Sequence, residues 1–546
     1  MAGDQIELSG RLVDISNRKI FSAEIVVERG VVASIRETNA QDGNFLLPGF
    51  VDSHVHIESS MLVPSQFARV AVLHGTVATV SDPHEIANVL GLEGVRYMMD
   101  EASTVLMKFF FGAPSCVPAT KFETAGAEIS VAQVAELLDD PRICYLSEMM
   151  DYPGVLSGNT DVMAKLKAAV DRNKPIDGHA PGLRGEQSKN YFAAGISTDH
   201  ECFTKAEALE KIGYGTRILI REGSAARNFD ELSSLIDQFP ALCMLCSDDK
   251  HPDDLMAGHI DQLVRRSVAA GIDVMNVLQA ACLNPIEHYQ LNVGQLRVGD
   301  PADLIEVDNL QQFRILRTFI EGQLVATEGR CLIDAPDASV VNQFHAVPIV
   351  RNALSLDASK PQMRVIEAVD GQLITTHQVV EPTLRDGRVV SDTSRDILKM
   401  VVVNRYTRAE PAIAFVRNFG LKEGAIASSV AHDSHNVIAV GVSDDDLTDA
   451  INLIIAAKGG LAVARSGQQK VLPLPVAGLM STASCEKVAA GYVDLDGLAK
   501  TWGCKLRAPF TTLSFMALLV IPEYKLSDRG LFDGRRFEFV PLFVPS

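Results

Sequence analysis

Apolar and polar positions divide the chain into three stretches with different periods. Residues 6–15, 19–30 and 31–37 read as short strands separated by turn residues. A similar pattern returns at 294–330. Two β-rich segments flanking a long middle stretch predict one small β-sandwich domain built from residues 1–46 and 290–335. Between them, short apolar runs alternate with helical periodicity. The runs predict strands at 46–51, 77–80, 106–111, 143–146, 174–177, 195–198, 217–220 and 242–246. Helices are expected at 131–138, 162–172, 206–212 and 229–238. That alternation argues for a parallel sheet covered by helices. Eight such units in roughly 200–250 residues fit a (β/α)8 TIM barrel, placed at 47–289. A doubly wound open sheet is the alternative, but no Gly-x-Gly-x-x-Gly follows the early strands. Residues 336–352 read as a linker. Strand-like runs then follow at 363–369, 397–405, 412–420, 436–442 and 461–467. A helix at 445–457 stops at Lys458-Gly459-Gly460. The reading is a C-terminal mixed α/β domain over 336–546.

Polar residues gather where the middle strands end. Asp52, His54 and His56 follow the first strand, and Asp82, His84 and Glu85 the second. Glu148 follows the fourth, His179 the fifth, His200 and Glu201 the sixth. Arg221 and Glu222 follow the seventh, Asp248 and Asp249 the eighth. In a barrel these ends converge on one mouth, where active sites form. His54 and His56 are two apart, so on a strand they share a face. Two imidazoles side by side suit a metal site. Asp52 has the same parity and could hold one ring from behind. His84 and Glu85 could transfer protons or hold another metal. Equally, Asp82 and Pro83 could open a helix there. Arg184 and Glu186 sit in a Gly-rich loop after His179 and could contact a polar ring, a solvated loop being the alternative.

The segments VDSHVHIESSM (51–61), SDPHEIANVLG (81–91), SEMMDYPGV (147–155), DGHAPGL (177–183), DHE (199–201) and SDD (247–249) resemble the amidohydrolase superfamily of metal-dependent hydrolases. With HDSHN (432–436), their wording is similar to the bacterial adenine deaminases within it. The resemblance implies His54, His56, His179, His200 and Asp248 as metal ligands. Many members bridge two metals with a modified lysine after strand four, where this chain has Glu148. A glutamate is already anionic and has two oxygens for bridging. Two divalent metal ions are therefore implied, with Mn²⁺ or Fe²⁺ favoured by the resemblance and Zn²⁺ possible on the donor types. The implied reaction is hydrolytic deamination of adenine to hypoxanthine and ammonia by a metal-bound hydroxide. Asp248 would accept its proton and Asp249 would orient substrate. The rival is a cyclic-amide hydrolase of the dihydroorotase or hydantoinase type, which favours the bridging lysine.

The HDSHN segment lies between apolar runs. His432 and His435 diverge on an extended segment but can face together on a tight turn. Such a turn either links two buried strands or reaches over the barrel mouth, where His435 would contact substrate.

Charge narrows the partners. The net charge is −19, the pI about 5.2, and no Lys/Arg-rich block stands out. That argues against nucleic acid and an anionic membrane, and leaves a small-molecule purine base. No apolar run reaches the ~20 residues of a membrane span, and the acidic start lacks a signal-peptide apolar region. Nine cysteines without framework spacing suggest reduced thiols in a cytoplasmic protein. A homo-oligomer is expected. Cys243 and Cys246 would face opposite sides of one strand, which favours core packing over metal binding. A cytidine-type zinc deaminase would need a proline before Cys243, and there is none.

Overall fold

The computed structural model describes residues 5–39 and 43–544; residues 1–4, 40–42 and 545–546, which the domain boundaries above include, lie outside it. Strands β1 (Gln5–Asp14), β2 (Lys19–Glu28) and β3 (Val31–Glu37) form an antiparallel meander. Their alternating apolar residues, among them Leu8, Leu12, Ile25 and Val27, enter one small core. β4 (Phe45–Pro48) pairs parallel with β1.

The chain then leaves this sheet at Gly49. The Gly49 amide still donates to Asp303 O (3.1 Å), whereas that of Phe50 donates to Gly75 O (2.9 Å). A Cβ on Gly49 would stand 2.3 Å from Val77 Cγ1, so only glycine permits the crossing. The strand expected at 46–51 is therefore two strands in two sheets. The second, β5 (Phe50–Val55), contains Asp52 and His54 rather than preceding them.

β5 begins the barrel. It runs parallel with β6 (Thr76–Ser81), β7 (Lys108–Ala113), β8 (Ile143–Met149) and β9 (Ile176–Gly178). A second parallel set holds β10 (Thr198–Asp199), β11 (Arg217–Arg221) and β12 (Cys243–Cys246). Backbone bonds cross both seams: Ser197 N to Ile176 O (2.9 Å), and Asp248 N to His54 O (3.0 Å). Eight parallel strands thus close a ring, the TIM-barrel arrangement. On β12, Cys243 and Leu245 enter one core and Met244 and Cys246 another, the period-two alternation expected of a strand buried on both faces. The helix expected at 229–238 is broken into Phe229–Leu232 and Leu235–Gln238, with Ser233 and Ser234 at the break. Serine competes for backbone hydrogen bonds and favours helix ends.

The chain returns to the first sheet as β13 (Leu304–Val307), β14 (Ile315–Ile320), β15 (Gln323–Thr327) and β16 (Arg330–Cys331). β13 pairs with β4, giving one eight-stranded path that folds over its own core. Residues 332–350 contain no regular element. Beyond them a nine-stranded mixed sheet has Ile397–Val403, Val437–Gly441 and Ala425–Ser428 at its centre. The Asp444–Ala457 helix covers one face; its Ser443 side chain accepts from Asp446 N, and Lys458 ends it in the left-handed conformation. The hairpin joining Ala425–Ser428 to Val437–Gly441 carries residues 432–436.

Candidate active site

The strand ends bring His56, His84, Glu85, Glu148, His179, His200, Asp248 and Asp249 to one cavity. It encloses about 30 Å³, space for one or two waters. Leu373, Phe515 and Leu518 of the C-terminal region line it too.

Glu148 is central. Its Oε2 lies 2.8 Å from His179 Nδ1 and 2.9 Å from His200 Nε2. Its Oε1 points the other way, 3.7 Å from His56 Nε2 and 3.6 Å from His84 Nδ1. Burial alone would raise this carboxyl, but His179 and His200 hold it well below the usual carboxylate range. His54 Nε2 and His56 Nε2 face each other at 3.2 Å. Two ring nitrogens at that distance can share one proton or one cation. Asp248 Oδ1 stands 3.4 Å from His56 Nε2 and 3.7 Å from His54 Nε2. Asp248 takes a left-handed backbone conformation (φ 53), which aspartate tolerates better than most residues.

The donor chemistry fits divalent cations. Glu85, Glu148, Glu201, Asp248, Asp249 and Asp433 share this cavity with one arginine, Arg221. Buried carboxylates are costly unless paired or coordinated to metal. Among the described residues, buried His54 Nδ1, His179 Nε2 and His200 Nδ1 have no hydrogen-bond partner. Ligand atoms lie within 4.8 Å of one another in the groups His54/Glu148/His200, His54/His56/Asp248, His179/His200/Glu201 and His56/Asp82/His84/Glu148, so Glu201, Asp82 and His84 stand as near as the expected ligands do.

The supporting contacts differ from the sequence expectation in two places. Asp52 does not sit behind either ring. Its Oδ2 accepts from His259 Nε2 (2.8 Å) and its Oδ1 from Ser247 N (3.0 Å), which ties β5 to β12. The Asp82 backbone carbonyl meets His56 Nδ1 instead (3.2 Å). Arg184 and Glu186 lie outside the cavity. Gly182 and Gly185 (φ +69 and +64) turn the loop outward. There Arg184 pairs with Glu210 at the surface (2.6 Å), and Glu186 is exposed beside Lys189.

Asp82 stands at a helix start, as one reading of this segment expected, and the His84 ring lines the cavity. Asp82 Oδ1 accepts from His84 N (3.1 Å) at the start of the His84–Leu90 helix. The His84 ring meanwhile faces Asp82, Glu85 and Glu148. Asp249 Oδ1 accepts from Ser59 Oγ (2.5 Å).

Sequence reading assigned no role to Arg221 and Glu201, although both stand at strand ends. Arg221 grips Glu201 with two nitrogens (2.6 and 2.8 Å) and Asp248 Oδ2 with one of them (2.5 Å). A planar guanidinium suits such a fork. The turn at 432–436 reaches the barrel. His432 Nδ1 lies 2.5 Å from Glu85 Oε1, and His435 Nε2 contacts Glu85 Oε2. Burial would depress His432, but Glu85 holds it up at about 9; burial brings His435 down to about 4. Ala431 N donates to His435 Nδ1 (3.2 Å), which leaves the proton of a neutral ring on the side of Glu85.

Among the described residues, no helix is long and apolar enough to cross a membrane. The model of the Amidohydrolase family matches residues 45–325, and that of the Adenine deaminase C-terminal domain matches 372–538. The chain is 56% identical to an adenine deaminase of Salinibacter ruber over 98% of this chain and 99% of that one. It is 52% identical to one of a Sulfurovum species, with the same coverage. It is 43% identical to one of Borreliella burgdorferi over 98% and 100%. With relatives 43–56% identical over 98% of the chain, and Glu148 set between two pairs of histidines, the chain belongs to the adenine deaminase family of the amidohydrolases.

Proposed function

We propose that the protein hydrolyses adenine to hypoxanthine and ammonia. Full-length similarity to adenine deaminases supports the substrate. The position of Glu148, one oxygen toward each half of the site, carries the mechanism.

In this reading His54, His56, Glu148, His179, His200 and Asp248 hold two divalent cations, which when bound supply a water acidic enough to ionise near neutral pH. Mn²⁺ or Fe²⁺ is preferred to Zn²⁺; imidazoles and carboxylates, with no thiolate in the cavity, accommodate all three. Asp248 accepts a proton from the attacking water as its oxygen adds to C6. One proton of that water ends on the ring nitrogen beside C6 and the other on the exocyclic amine. The amine leaves as ammonia and C6 becomes a carbonyl. Arg221 keeps Asp248 and Glu201 in place. His84 and Glu85 stand where they can relay protons, and Asp249 where it can orient the purine.

The division near residues 46, 290 and 336 into a β-sandwich, a barrel and a C-terminal domain is retained as part of this reading, supported by the strand pairing. So is a cytoplasmic setting, which nine free cysteines suit. A homo-oligomer is supported by the exposed Val340, Val347 and Val350, and light scattering tests it.

Ultraviolet monitoring of the Mn²⁺-loaded protein with adenine, adenosine and dihydroorotate tests the activity. Adenine should be turned over and the nucleoside should not. Turnover of dihydroorotate without adenine would favour the cyclic-amide alternative.

A further inference from the structure

The active-site cavity is one of three spaces in a row. It shares Asp249 and His432 as walls with a second cavity of about 10 Å³. That is room for one water-sized molecule. The second cavity shares His251 with a surface recess of about 220 Å³. Asp253, Asp254 and Asp496 line this recess; Lys500 pairs with Asp496 (2.6 Å) and Arg507 stands at the exposed rim, which leaves Asp253 and Asp254 as its other carboxylates.

The middle cavity is small but not purely apolar. Ser59 Oγ donates to Asp249 (2.5 Å), and Thr511 Oγ1 lies 2.6 Å from His251 Nε2. Ser514 Oγ accepts from His432 N (3.2 Å). A small hydrogen-bonding molecule would meet a partner at each step, whereas a purine ring cannot pass. The two products of the proposed reaction differ in just this respect.

We propose that this row of cavities is the exit for ammonia, while the purine uses the side roofed by Leu373 and Leu518. Ammonia crosses the middle cavity neutral and takes a proton from solvent water in the outer recess, where Asp253 and Asp254 stabilise the ammonium formed. The proposal rests on the deaminase reading.

Two substitutions plug the middle cavity from different elements: Thr511→Leu on the Pro509–Phe515 helix and Leu461→Phe on the Gly460–Arg465 strand. Mn²⁺-loaded full-length proteins would be compared in single-turnover quench and steady-state assays with adenine, after metal content and thermal unfolding are checked. Hypoxanthine should form at the wild-type rate in the first turnover, followed by a steady state at least tenfold slower. Ser428→Val, a smaller plug on a third element, should give the same pattern with a smaller drop, and carries the test if the larger side chains prevent folding. Wild-type turnover in folded, plugged variants would overturn the exit. So would a first turnover slowed in parallel with the steady state, since the row would then supply water or support the chemistry. If the wild type does not deaminate adenine, the deaminase reading fails and the exit with it; if it does and the plugs are silent, only the exit fails.

Discussion

Two groups of histidines meet at this cavity and are built in different ways. His54 and His56 stand at the end of one barrel strand, with His179 and His200 at the ends of others. Their positions follow from strand period and barrel closure. His432 and His435 come from a hairpin turn of a separate mixed sheet and reach Glu85 from far along the chain, His432 across 347 residues. The first group surrounds Glu148 and the second clasps Glu85. The difference suggests a division of labour, in which the barrel group holds cations and the turn fixes a cover over them.

Removing a member of each group separates these roles. His200→Ala has the largest expected effect: at least one cation per chain lost, and activity with it. Full metal content with normal turnover would end its assignment as a ligand. Asp248→Asn comes next. An amide cannot take the water's proton, so turnover should fall by ~10²–10⁴-fold in a folded protein. Near-normal turnover would move that role to His84 or Glu85.

On the other side of the comparison, His435→Ala should leave metal content unchanged. It removes a neutral imidazole that faces the buried Glu85 carboxylate, and a hydrogen bond to a charged group contributes about 1.5–3 kcal/mol. With His432 still in place the loss should fall at or below the lower end of that range. Loss of metal in this variant would erase the distinction between the two groups.

A pH-dependent effect concerns the cover itself. Lys525 is fully buried, and its Nζ donates to Leu373 O (2.6 Å) and Phe515 O (2.9 Å), both from residues lining the cavity. Burial brings its pKa down from 10.5 to about 7. Between these values the unfolded chain binds the proton that the folded protein has released. Stability should therefore rise with pH across that window, with a slope of up to about 1.4 kcal/mol per pH unit, and be lowest below pH 7. Lys525→Met should abolish this contribution. A wild-type-to-variant difference that is constant from pH 6 to 10 would rule it out.

Much of the barrel and its site was legible in the sequence because the signals are local. A period of two places His54 with Asp52, and a helical period marks the Val131–Asp139 helix almost to the residue. The convergence of polar strand ends follows from closing a parallel ring. Contacts between distant segments were not legible, since no local period encodes them. Asp52 has the right parity to support a histidine, yet His259 and Ser247 claim its oxygens. Arg184 and Glu186 follow a cavity histidine by a few residues, yet two left-handed glycines turn them to solvent. Arg221 gained its role only when barrel closure set Glu201 and Asp248 on either side of it. The chain by itself determined which residues stand at the mouth of the barrel; only the tertiary structure decided which of them touch, because side-chain partners are chosen by packing between elements far apart in sequence.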